Sequence, residues 1–197
     1  SDAGHATTQA SRTAATVSRG SAPLICCQCS SEISTRGTNY AGYEVILKSV
    51  DSVQRVASIR DTIPAYNTVG QLFGELLAYL GQNRAAPQGY CAAIWHHPEY
   101  QEKNVDAEVM MAIPQSLQGN QRIQVRDLPA LDLVASVIHR GPYSKLNQAY
   151  GAIVKWIEDN DYQIVGYNRE VYLEGGAEQD NPNYVTEIQF PVMKAAA

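Results

Sequence analysis

Between residues 43 and 193 the apolar positions change rhythm twice in the same order. Alternation with period two marks strands near 43–50 and 53–60, because successive strand side chains point to opposite faces. After Pro64 the period lengthens. Val69, Leu72, Phe73, Leu76, Leu77 and Leu80 recur on one helical face of "TVGQLFGELLAYLGQN", with Gly81 and Asn83 as stop signals. Gly70 and Gly74 lower helix propensity there, yet the stripe is continuous. Strands follow in "GYCAAIWH" and "DAEVMMAI". The same order then returns, with strands near 122–127 and 131–138, and then Pro142. The helix "SKLNQAYGAIVKWIEDN" turns Leu146, Ala149, Tyr150, Ile153, Val154 and Ile157 inward, and "GYNREVYLE" and "YVTEIQFPV" close the chain.

The two passes match at an offset of 77–79 residues: "VAS" at 56–58 and 134–136, Pro64 and Pro142, "GY" at 89–90 and 166–167. An internal repeat of this kind predicts an α+β fold built from pseudo-two-fold duplicated β-β-α-β-β units. Repeat one spans 43–114 and repeat two 122–193. Each half has a single helix to cover a sheet face, so pairing the halves makes the better core. The expected result is a mostly antiparallel sheet with helices on one side and a central groove. Residues 1–42 read as an N-terminal linker or tail containing the "CCQC" segment.

Composition narrows the function. With 45% hydrophobic residues and a net charge of −5, the 197-residue chain is ordinary for a soluble globular protein. No apolar run reaches the length of a membrane span and no secretory leader opens the chain, so a cytoplasmic location is expected. The 15 Lys and Arg are scattered, which argues against direct nucleic-acid binding by this chain. Twelve tyrosines suit a site that must be greasy and polar at once. Cys26 and Cys29 have half the spacing of a zinc site, but a second pair is missing, so neither metal nor cofactor is expected.

The residues "VASVIHRGPYSKLNQAYGAIVKWIEDND", "GYNREVYLEGG" and "NPNYVTEIQFPV" resemble the effector-binding domains related to DNA gyrase inhibitory protein. That family includes the ligand domains of multidrug-sensing MerR-type and AraC-type transcription regulators, and stand-alone binding proteins. The resemblance covers roughly 43–193. It implies a groove between the repeats that accepts hydrophobic, often cationic small molecules through aromatic rings and an acid. Some relatives hydrolyse strained, cyclopropane-bearing compounds. The first repeat departs from the pattern, having "IRDTIPAY" where the second has "VIHRGPY". Residues 1–42 do not supply a winged helix, so a fused DNA-binding domain is expected to have been removed or never present.

Strand alternation nominates the groove residues. Ala107, Val109, Met111 and Ile113, and likewise Thr186, Ile188 and Phe190, form covered faces. The uncovered face is expected to carry Trp95, Glu108, Met110, Glu170, Tyr172 and Glu187, with Tyr143 and Tyr66 at opposite rims. Tyr150 reads as core. An indole, a thioether, phenols and carboxylates facing one concavity suit a lipophilic cation. The family carries a groove acid in the terminal strands, which puts Glu170 and Glu187 first.

No residue is assigned as catalytic. His139 lies at a strand end, where it can satisfy turn carbonyls, and no nucleophile elbow accompanies it. His96 and His97 are adjacent on a strand, so they point apart. Two alternatives to ligand sensing stand: a hydrolase of strained alkylating compounds using a groove Glu and Tyr, and a protein-interaction module.

Overall fold

The computed structural model of the chain describes residues 38–114 and 116–196. The "CCQC" segment lies outside them. The strands are β1 (Thr38–Tyr40), β2 (Tyr43–Val50), β3 (Val53–Ile63), β4 (Cys91–Trp95), β5 (Val105–Ala112), β6 (Gln124–Leu128), β7 (Leu131–Arg140), β8 (Tyr162–Ile164), β9 (Arg169–Glu174) and β10 (Val185–Lys194). The helices are α1 (Gly70–Gln82) and α2 (Leu146–Asp159), each preceded by a short 3-10 turn, Tyr66–Thr68 and Tyr143–Lys145. The strands form one open sheet in the order β1-β2-β7-β10-β9-β4-β5-β3-β6, with β8 on β10, and every pairing is antiparallel. This is the α+β, antiparallel class that the rhythm predicts. β1 and β8, three residues each, are too short to show a period. Pairing also crosses between the halves of the chain, since β2 joins β7 and β6 joins β3.

One row of register partners crosses the sheet: Ile59, Val109, Ala93, Glu170, Ile188, Val137 and Val45. Ile59, Val109 and Ala93 share a core with Leu72, Leu76 and Leu80 of α1. Ile188, Val137 and Val45 share one with Leu146, Ala149, Ile153, Trp156 and Ile157 of α2. Both helices therefore sit on the same face of the sheet. α1 lies over β3 and β5, and α2 over β2, β7 and β8. The central strands β4 and β9 are left as the floor between them. A smaller apolar cluster of Val56, Ala92, Ile94, Met110, Leu128 and Val171 packs on the reverse face.

The helical stripes need two corrections. Leu77 is 43% exposed, because a step of 100° from Leu76 carries it off the Leu72–Leu76–Leu80 line. In α2 the buried face also takes Ala152 and Trp156, while Val154 and Tyr150 are only half-buried.

The turn "VIHRGPY" works as a strand-to-helix corner. Gly141 has φ +135°, a conformation open to glycine, and its N–H donates to the Tyr184 carbonyl at 2.8 Å. His139 is buried, with Nδ1 3.0 Å from the Tyr43 hydroxyl and Nε2 3.2 Å from the Pro142 carbonyl. Ile63 stands one residue before Pro64, as Gly141 does before Pro142, and buries its side chain in the α1 core. Among the described residues no helix is long and apolar enough to cross a membrane.

Candidate ligand-binding site

Glu170 is the polar member of the central row, 6% exposed and flanked in register by Ala93 and Ile188. Three neutral donors converge on its carboxylate. Trp95 Nε1 reaches Oε1 at 3.0 Å, the Tyr150 hydroxyl reaches Oε1 at 2.6 Å, and the Tyr172 hydroxyl reaches Oε2 at 2.8 Å. Asn168 Nδ2 donates to the Tyr150 oxygen at 2.8 Å and so orients that phenol. None of the described ion pairs involves Glu170. Burial pushes its carboxyl above the ordinary range, and the three donors pull it back only in part. Burial first, and the nearby carboxylate second, hold the Tyr150 and Tyr172 phenols well above their usual values, so both stay donors at neutral pH.

Aromatic rings close over this carboxylate. The Tyr66 ring meets Trp95 edge-on at 4.9 Å, and Tyr143 and Phe73 each meet Tyr172 edge-on at 5.7 Å. Tyr66 and Tyr143 come from the two 3-10 turns, so the prolines before each helix set the opposite walls. Tyr143 is tied down by Gly176 N–H at 3.3 Å, and burial pushes its phenol up to about 12. Thr186, in register with Tyr172 on the same face, has a buried hydroxyl oxygen without a hydrogen-bond partner.

The structure thus gathers Tyr66, Trp95, Tyr143, Glu170 and Tyr172 on the helix side of the sheet. It separates them from Glu108, Met110 and Glu187, which lie on the reverse face. Met110 is in register with Ala92, one residue out of phase with Ala93 and Trp95, and Glu187 is in register with Val171, not Glu170. The alternation within each strand is as expected. The error lies in the phase between strands, which register sets and a single strand's pattern does not reveal. The expectation also equated the helix-bearing face with a face covered by helices, whereas aromatic rings cover its centre. Tyr150, read as core from its place on the α2 stripe, reaches the carboxylate because its hydroxyl needs a partner.

The two reverse-face acids are ion-paired. Glu108 accepts from Arg126 at 2.7 Å, from His96 at 2.8 Å and from the Ser58 hydroxyl. Burial alone would raise its carboxyl, but the His96, Arg126 and Ser58 hydrogen bonds outweigh it and bring the value down to about 2. Glu187 accepts from Lys48 at 2.6 Å and from the Ser136 hydroxyl. Each acid takes its serine from its own half of the chain and its Lys or Arg from the other, so each triad clasps the halves together.

Residues 51–193 match the GyrI-like small molecule binding domain. The chain belongs to that family. This GyrI-like domain is also 32% identical to the crystal structure of the EcmrR C-terminal domain, at a TM-score of 0.63 over 78% of this chain and 99% of that one. Against EcmrR in its complex with DNA the identity is 31% and the TM-score 0.67, and the chain spans 58% of EcmrR's length there. A hydrolase from Listeria innocua shares the fold at 10% identity and a TM-score of 0.54, over 76% of this chain and 91% of that one. A comparison with curated proteins finds no match.

Proposed function

We propose that this GyrI-like domain binds hydrophobic cations in the groove between α1 and α2. It would act as the sensor domain of a transcription regulator or as a stand-alone drug-binding protein. One observation carries the reading: Glu170 is a buried acid served by neutral donors alone. A buried carboxylate is stable as an anion when something charged pairs with it. A cationic ligand supplies that partner, while the faces of Tyr66, Trp95, Tyr143 and Tyr172 attract it and bury its apolar body. The rings pack on one another over the carboxylate, so a ligand gains access by turning them aside. The sensor role rests on the likeness to the EcmrR C-terminal domain.

The same reading takes the domain as a duplicated β-β-α-β-β unit with exchanged first strands. If β2 corresponds to β6, β3 to β7, β4 to β9 and β5 to β10, the order β2-β7-β10-β9-β4-β5-β3-β6 is the same from either end. Lys48 and Arg126, Ser58 and Ser136, and Glu108 and Glu187 then correspond at offsets of 78–79 residues. Glu170 corresponds to Ala93, so the acid belongs to one half only. That asymmetry gives the groove a single anionic centre.

The test is a titration with tetraphenylphosphonium and with the neutral triphenylphosphine oxide, followed by intrinsic fluorescence. The cation should bind at least tenfold tighter. Glu170→Gln should remove that preference, while Glu187→Gln should keep it. Equal affinity for both probes in the unaltered protein would sink the reading.

A further inference from the structure

The reverse face of the sheet carries a cleft of about 710 Å3, within the size range of small-molecule sites. Its floor includes Ile94 and Arg169, and its walls come from the β6–β7 connection, the β8–β9 loop and the end of β10. Arg169 is 6% exposed. Its Nη1 has no hydrogen-bond partner, and none of the described ion pairs includes it. Its register neighbours, Ile94 and Gln189, carry no charge. A buried guanidinium in that condition is costly unless an anion meets it.

The other charged groups of the cleft do not meet it. Glu108 is engaged by Arg126 and His96. Asp132 is exposed and takes part in none of the described ion pairs. Lys194 Nζ donates to the Asn160 carbonyl at 2.6 Å, over the Tyr162 ring. Arg126, Arg169 and Lys194 thus face two carboxylates, and of the three cations Arg169 is the one whose side chain has neither a hydrogen-bond nor an ion-pair partner among the described residues. The mouth is apolar. Val165, Tyr167 and Met193, all lining the cleft, are 54%, 47% and 52% exposed, so the mouth offers apolar surface that a ligand's body can cover.

We infer that this cleft is a second ligand site, which takes a hydrophobic monoanion such as an aromatic or aliphatic carboxylate. The carboxylate meets the fork of Arg169, which is shaped for two parallel hydrogen bonds, and the apolar body lies against Ile94, Leu133, Val165 and Tyr167. The site lies on the face of the sheet opposite Glu170 and uses none of the groove residues, so the two readings can fail separately.

The test uses 1-naphthoate and its uncharged analogue 1-naphthalenemethanol, titrated by calorimetry against the full chain. The acid should bind at least tenfold tighter than the alcohol, about 1.4 kcal/mol. Arg169→Gln should weaken the acid at least tenfold, and Glu170→Gln should leave it unchanged. Arg169 is buried, so circular dichroism checks that its variant folds. If it does not, Val165→Asp decides, since it sets a negative charge at the exposed rim and should weaken the acid at least fivefold. Equal binding of acid and alcohol, no binding of the acid, unchanged affinity in a folded Arg169→Gln, loss of binding in Glu170→Gln, or an unaffected Val165→Asp each overturns the inference.

Discussion

Glu170 and Glu108 are both buried acids on strands of the sheet, and their partners give them opposite behaviour. Glu170 has a native carboxyl raised above its unfolded value. The stability tied to its protonated form is therefore fully present below the unfolded value and lost as pH rises through the native one. Glu170→Gln should raise the melting temperature at pH 7 by about 2–4 °C, the shift expected of about 1 kcal/mol. The gap over the unaltered protein should narrow toward pH 4, and calorimetry across pH checks it. Glu108 is depressed to about 2. Its contribution is present above the unfolded value and is lost as pH falls from 4.5 toward about 2. Glu108→Gln leaves Arg126 and His96 unpaired and should lower the melting temperature by about 4–8 °C, about 2 kcal/mol. That loss should vanish in strong acid. Sequence alone ranks these residues poorly, because Glu108, Glu170 and Glu187 look alike in alternating strands. The difference lies in Arg126 and Lys48, which come from other strands, and in His96, just past the end of β4; all three are matched to their acids only by the register of the sheet.

At the scale of elements, the corner before α2 couples stability to the groove, because Gly141 and Pro142 aim Tyr143 at Tyr172. A Cβ on Gly141 would meet only His139 ring atoms, at 3.5 Å and 3.8 Å. Gly141→Ala therefore costs backbone strain alone, about 1–3 kcal/mol at a φ of this sign. Its melting temperature should fall and its cation affinity should weaken together. A variant with unaltered melting would contradict the strain. This corner, both helices and eight of the strands are legible in the apolar rhythm, since each is a local pattern. Two things are not. The three-residue β1 and β8 are too short to carry a period, and the role of Tyr150 depends on β9 lying beneath α2's edge. An apolar stripe reports which way a helix faces; whether a neighbouring strand offers an acid there is tertiary information.

For the whole molecule, the pairings β2–β7 and β3–β6 between the halves of the chain and the two Ser-Glu-cation triads mean that neither half owns a complete sheet. Unfolding should be one cooperative transition, with equal calorimetric and van't Hoff enthalpies; two separate transitions would contradict the shared sheet. That same sheet holds α1 and α2 apart over β4 and β9, so the proposed ligand site would be a property of the joined halves. The measurement that tests this most directly is the affinity of tetraphenylphosphonium for the unaltered domain and for Glu170→Gln, taken from the ordinary carboxyl value of 4.5 upward in pH. Affinity should rise with pH in the unaltered domain as the carboxyl ionises, and should be at least tenfold weaker and flat with pH in the variant. Equal, pH-independent affinities in the two proteins would contradict the proposed site.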